Sequence, residues 1–106
     1  MKNLTLKERN FILKFLNNND CGASSSEELL DDNFSCQTIQ DLRKIMPELS
    51  INQIGGFLSS LQDKGVLILE DDRGYEVNPR TRKREKLLDL YWVDEDFLEK
   101  NIDLKW

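Results

Sequence analysis

The chain has 106 residues, 39% of them apolar and 33% charged, with 15 bases against 20 acids and a net charge of −5. That length suits one small domain with a real core, and the apolar share is too high for a wholly disordered chain. There is no histidine, and Cys21 and Cys36 lack the paired spacing of a zinc site, so histidine-based catalysis and a cysteine–histidine metal centre are both excluded.

The first predicted helix starts at Thr5. Thr5 and Glu8 make a capping box, with Leu4 placed to staple onto the first turns. Leu6, Phe11, Ile12, Phe15 and Leu16 form its apolar face, while Lys7, Arg9, Asn10 and Lys14 face water. Asn17 to Asp20 and Gly22 read as a loop. Cys21 to Ser35 reads two ways. One is a short helix starting at Ser24-Ser25-Ser26, with Glu27 and Glu28 in the first turn and Leu29, Leu30 and Phe34 docked inward; the other is an acidic loop.

A second helix opens at Thr38, with Asp41 three residues on, and buries Ile39, Leu42, Ile45 and Met46. Pro47 ends it. A third helix opens at Ser50 with Gln53 completing another capping box. Ile51, Ile54, Leu58 and Leu61 are its inward residues, Phe57 flanks them, and Gly65 stops it just after Lys64. Val66 to Leu69 reads as a strand, Asp71 to Gly74 as a turn, and Tyr75 to Val77 as the returning strand of a β-hairpin. Beyond Pro79, Arg80 to Leu90 is expected to be helical, with Leu87, Leu88, Tyr91 and Trp92 on one side. Asp94 then caps a last short helix that buries Phe97, Leu98 and Ile102.

The expected fold is mainly α with a small β-hairpin, divided into residues 1–78 and a C-terminal helical extension, 79–106. The extension carries two tryptophans and a tyrosine in its last sixteen residues. That apolar load either packs on its own domain or forms a homodimer through residues 87–106. The chain has no apolar run of membrane-span length and no signal peptide, so a cytoplasmic protein with free thiols and no membrane partner is expected. No glycine-rich phosphate motif occurs, and the paired carboxylates stand in polar stretches that suit a solvated face. No catalytic residue, metal ligand or cofactor is expected.

The segment Thr38 to Val77 resembles the winged helix-turn-helix superfamily of small transcription regulators. The resemblance is carried by two helices joined at Pro47-Glu48-Leu49 and by the run Leu61-Gln62-Asp63-Lys64-Gly65-Val66-Leu67-Ile68 into the hairpin. With the first helix included it covers roughly two thirds of the chain, and such motifs specify architecture better than function. It implies a DNA-binding regulator whose helix 50–64 reads the major groove of double-stranded DNA. Asn52, Gln53, Ser59 and Ser60 would face bases, with Lys64, Arg73, Arg80, Arg82, Lys83 and Arg84 on phosphates.

Charge divides the chain in a way that bears on this. Residues 1–79 hold thirteen acids and eight bases, net −5; residues 80–86 hold five bases and one acid, net +4; residues 87–106 hold six acids and two bases, net −4. Glu70, Asp71, Asp72 and Glu76 make the predicted wing acidic, which opposes contact with phosphates. The alternative reading is therefore an acidic winged-helix interaction module that docks a basic protein and does not bind DNA. Gly55-Gly56 inside the third helix admits two accounts as well, close approach to a duplex or close helix–helix packing.

Overall fold

A computed structural model describes residues 4–19, 22–32, 36–71 and 73–106. Five helices lie among them: α1 (Leu6–Asn17), α2 (Ser26–Asp32), α3 (Ile39–Ile45), α4 (Ile51–Asp63) and α5 (Glu95–Lys100). Helix starts follow local chemistry. Thr5 with Glu8, Thr38 with Asp41, and Ser50 with Gln53 each form a complete capping box, satisfying amide groups that the first turn leaves bare. Asp94 caps α5 by accepting from the Phe97 amide. Of the two readings for residues 21–35, a helix holds from Ser26 onward, with Glu27 and Glu28 in its first turn; Cys21 and Phe34 lie outside the described residues.

The strands depart from expectation. Five lie among the described residues: β1 (Cys36–Gln37), β2 (Leu67–Glu70), β3 (Tyr75–Val77), β4 (Arg84–Lys86) and β5 (Leu90–Val93). β2 does not pair with β3. It pairs antiparallel with β5, Leu67 opposite Val93 and Glu70 opposite Leu90, and β1 lies along the other edge of β5. β3 pairs with β4, Tyr75 opposite Lys86 and Val77 opposite Arg84. β2 and β3 thus form no hairpin with each other, Asp72 of the expected turn lies outside the described residues, and Arg80 to Leu90 is no helix. The reason is burial. Leu90 to Val93 offers four apolar residues to a strand that must cover the core, whereas Tyr75 to Val77 stays exposed throughout. The boundary expected at residue 78 falls inside this arm, and residues 84–106 supply β4, the central strand β5 and α5. The fold is mixed, with five helices and antiparallel strands among the described residues.

One core joins the helices to the sheet. Phe11, Ile12, Phe15 and Leu16 of α1 meet Leu42 and Met46, then Ile54, Leu58 and Leu61 of α4, Val66, Leu67 and Val93 from the sheet, and Phe97 and Leu98 of α5. Two residues expected inside are not: Leu6 is 75% exposed and Ile51 is 51% exposed, because each stands in the first turn of its helix, beyond the reach of the core. Ile102 is exposed too. Two of the tail's three large aromatics pack within the chain. Tyr91 and Trp106 rest against the core, the Trp106 indole N–H donates to the Ala23 carbonyl at 3.0 Å, and the Ser26 amide donates to the Leu104 carbonyl at 2.9 Å.

The outline is elongated, 46 × 30 × 23 Å, and the radius of gyration of 14.6 Å exceeds the ~13 Å of a compact domain this long. β3 and β4 account for this. They continue the β2–β5 pair outward as an arm whose six residues are all exposed.

Candidate nucleic-acid interface

The arm is built from two irregularities. From the pair Glu70–Leu90 to the pair Tyr75–Lys86 the numbering advances by five on one side and by four on the other, so the two ladders are offset by one residue. Gly74 takes φ +94° there, a region few side chains tolerate. The Leu87 amide donates to the Gly74 carbonyl at 2.9 Å, and the Arg73 guanidinium donates to the Leu88 carbonyl at 2.7 Å. Arg73, expected on phosphate, is thus engaged in tying the two sides of the arm's base together.

The second irregularity is the tip, residues 78–83. Asn78 organises it. Its amide donates to the Lys83 carbonyl at 2.9 Å, its carbonyl accepts from the Arg82 amide at 2.7 Å, and its side-chain oxygen accepts from the Arg80 amide at 2.9 Å. Arg82 sits at φ +58°, the left-handed region. A non-glycine residue there costs on the order of 1 kcal/mol, so arginine is not the residue that backbone economy would select.

Along the arm, side chains alternate between two faces and cross-strand partners share one. Tyr75, Val77, Arg84 and Lys86 therefore lie on one face, and Glu76 with its partner Glu85 lies on the other. The Arg84 guanidinium stands 5.1 Å from the centre of the Tyr75 ring, a cation–π contact. Glu85 accepts from the Asn78 amide group at 3.1 Å. The expectation of an acidic wing changes accordingly: Glu76 belongs to the face turned away from Arg84 and Lys86, and the five bases of residues 80–86 lie at the end of the arm instead of on a helix behind it. Residues 73–86 carry six bases and two acids, +4, which leaves −9 for the rest of the chain.

The predicted residues of α4 divide. Asn52, Gln53 and Ser59 are exposed on its outer face with Gly56 and Asp63. Ser60 and Lys64, expected to face DNA, turn inward to Glu8. The Glu8 carboxylate is 4% exposed and accepts from Lys64, from the Ser60 hydroxyl, and from the Thr5 amide at 3.0 Å. A buried carboxylate without such partners is costly, so the requirement of Glu8 overrides the solvent preference of Lys64. Lys64 first, then Ser60 and the Thr5 amide, hold the Glu8 carboxyl at about 2, well below the usual carboxylate value. The pattern that could have warned of this is the capping box itself, because it fixes Glu8 on the side of α1 that α4 covers.

The packing account of Gly55-Gly56 does not hold. A Cβ built on either glycine meets no atom within 4 Å. Among the described residues no cluster of three or more cysteine or acidic side chains could hold a metal, and no helix is long and apolar enough to cross a membrane. Tyr75 and Val77 share the arm's basic face with Arg84 and Lys86 and were not among the predicted contacts; the alternation Y-E-V against R-E-K was the signal for them. No family model, characterised protein or solved structure matches the chain.

Proposed function

We propose that the chain is a DNA-binding module of the winged helix-turn-helix type, with α4 in the major groove and the arm on the phosphate backbone. The observation that carries this is the arm: the densest positive charge in an acidic chain stands at the tip of a projecting ribbon, with Glu76 and Glu85 on the opposite face from Arg84 and Lys86. The helix pair α3–α4, joined through Pro47, leads through β2 into that ribbon, and α4 presents Asn52, Gln53 and Ser59 outward, side chains that suit base edges. Arg82 in a backbone conformation that favours glycine supports the same reading, since strain at an exposed tip has no folding benefit.

A titration of full-length protein against a random-sequence labelled duplex, followed by fluorescence anisotropy across salt, tests it. The proposal expects affinity at low salt with a log–log salt slope of several released ions. Absence of binding at low salt, with the circular dichroism of a folded chain, rejects it. The second reading, an acidic module for a basic protein partner, is favoured by the exposed Glu27, Asp31, Glu95, Asp96 and Glu99 on α2 and α5, which pack together. It gains ground only if the duplex does not bind.

A further inference from the structure

We propose that the cleft between α1 and α4 is a binding site for an aromatic organic acid, and that its occupancy is sensed by α4. The second half rests on the DNA-reading role given to α4; the first half does not. The cleft has a volume of about 760 Å³, within the ~300–1,000 Å³ typical of small-molecule sites. Its floor is apolar. The rings of Phe11 and Phe57 stack with centres 5.0 Å apart and planes 23° from parallel, and Met46 and Leu49 lie beside them.

Gly56 forms part of the wall next to Phe57. A glycine inside a helix costs about 1 kcal/mol relative to alanine, and no packing within the chain recovers it, because the space beyond its missing Cβ is open. What glycine does at this position is keep a slot clear beside an aromatic ring. A flat ring entering that slot can stack on Phe57 in the offset or edge-on geometry that aromatic pairs prefer.

The rim specifies the charge. In a chain of net −5, the cleft is lined by Lys7, Lys14 and Lys64 against Glu8 and Glu48. Lys64 is bound to Glu8, and Lys14 to Glu48 at 2.6 Å. Lys7, two turns before Lys14 on α1, is exposed and in no ion pair among the described residues. An acid whose ring enters the slot finds that ammonium group without displacing either existing pair. Gln53, one of the residues assigned to bases, lines the same cleft, which gives a bound acid a direct effect on the reading face.

Titration of the full chain with 1-anilinonaphthalene-8-sulfonate, a fluorescent aromatic sulfonate, tests the site without DNA. Saturable one-to-one binding is expected, weakened about fivefold by Lys7→Ala as for an exposed charge contact. Gly56→Leu, which fills the slot and favours the helix, should weaken it about tenfold or more, and Gly56→Ala less. Ile68→Ser on the exposed outer side of β2 should change nothing. Undiminished binding to the Gly56→Leu variant, or an equal loss in Ile68→Ser, overturns the site. The probe's effect on duplex affinity then tests the coupling. A shift of several-fold supports it, and no shift in a chain that binds both overturns the coupling while leaving the site. A chain that binds the probe and no duplex overturns the DNA reading, and the coupling with it, and leaves the site standing.

Discussion

β4 and β5 are separated by three residues and occupy opposite environments. Val93 of β5 is 3% exposed, Tyr91 packs on the core, and the strand has a hydrogen-bonded neighbour on each side. All three residues of β4 are exposed and the strand has one neighbour. The body is held by apolar burial, which is where folding free energy comes from. The arm has almost none of that. A two-stranded ribbon is marginal by itself in water, and this one persists because it extends a sheet whose other end is anchored in the core. The lesson of the contrast is that stability and recognition are separated in space. Residues of the arm can be chosen for a partner because the fold asks so little of them.

The largest expected effect breaks the comparison at the arm. Replacing Arg80, Arg82, Lys83 and Arg84 together by alanine should leave the melting temperature nearly unchanged and lower duplex affinity about a hundredfold or more at moderate salt. The salt slope should fall by about three to four, close to one released ion per lost phosphate contact. Anisotropy beside a thermal melt measures both.

Next comes the body. Glu8→Ala removes the capping box of α1 and leaves Lys64 in a half-buried setting without its carboxylate, so urea unfolding should show a loss of about 2–3 kcal/mol. The wild-type chain carries the same signature in its pH profile. The folded carboxyl titrates at about 2 and the unfolded one at 4.5, so its contribution is complete above the unfolded value and disappears as the pH falls from about 4.5 to about 2. Its size is on the order of 2 kcal/mol, less than the full shift implies because the pair borders an open cleft. The Glu8→Gln variant should lack that acid-side slope, and its persistence there would assign the slope to other carboxylates.

Smaller effects sharpen the contrast. Gly56→Ala should stabilise the body by about 1 kcal/mol in the same urea assay, because helix propensity improves and nothing is crowded. Arg82→Gly should hold the tip at equal or slightly better stability, a few tenths of a kcal/mol to about 1, while duplex affinity drops a few-fold. A variant more stable and weaker in binding is the result expected of a residue kept for contact. A loss of stability in Arg82→Gly would mean that the arginine serves the fold.

The parts legible in the sequence were those decided within a few residues. The caps at Thr5, Thr38 and Ser50 are legible because a cap involves only its own first turn. Strand pairing is decided at a distance, and there the reading went to the nearest candidate. Asp71 to Gly74 has turn chemistry and Tyr75 to Val77 follows it, so a short hairpin was the local answer. The actual partner of β2 is β5, chosen by what it can bury. Arg80 to Leu90 reads as a helix because Leu87, Leu88, Tyr91 and Trp92 would share one side of it; the alternation of Arg84 to Lys86 is visible only against its partner, Tyr75 to Val77. Ser60 and Lys64 were assigned to DNA by their place on the helix wheel, which cannot reveal a buried acid on α1 waiting for them.

The central place of β5 also sets the order of events in folding. β1 and β2 are its two neighbours and do not touch each other, so neither can be hydrogen-bonded into the sheet until the strand farthest along the chain has docked between them. The helices need only local closure, whereas this step closes two long loops at once, the kind of contact that slows folding. Val93→Ala should therefore speed unfolding more than it slows the early helical phase seen by stopped-flow circular dichroism. Val77→Ala, out on the arm, should alter neither rate measurably.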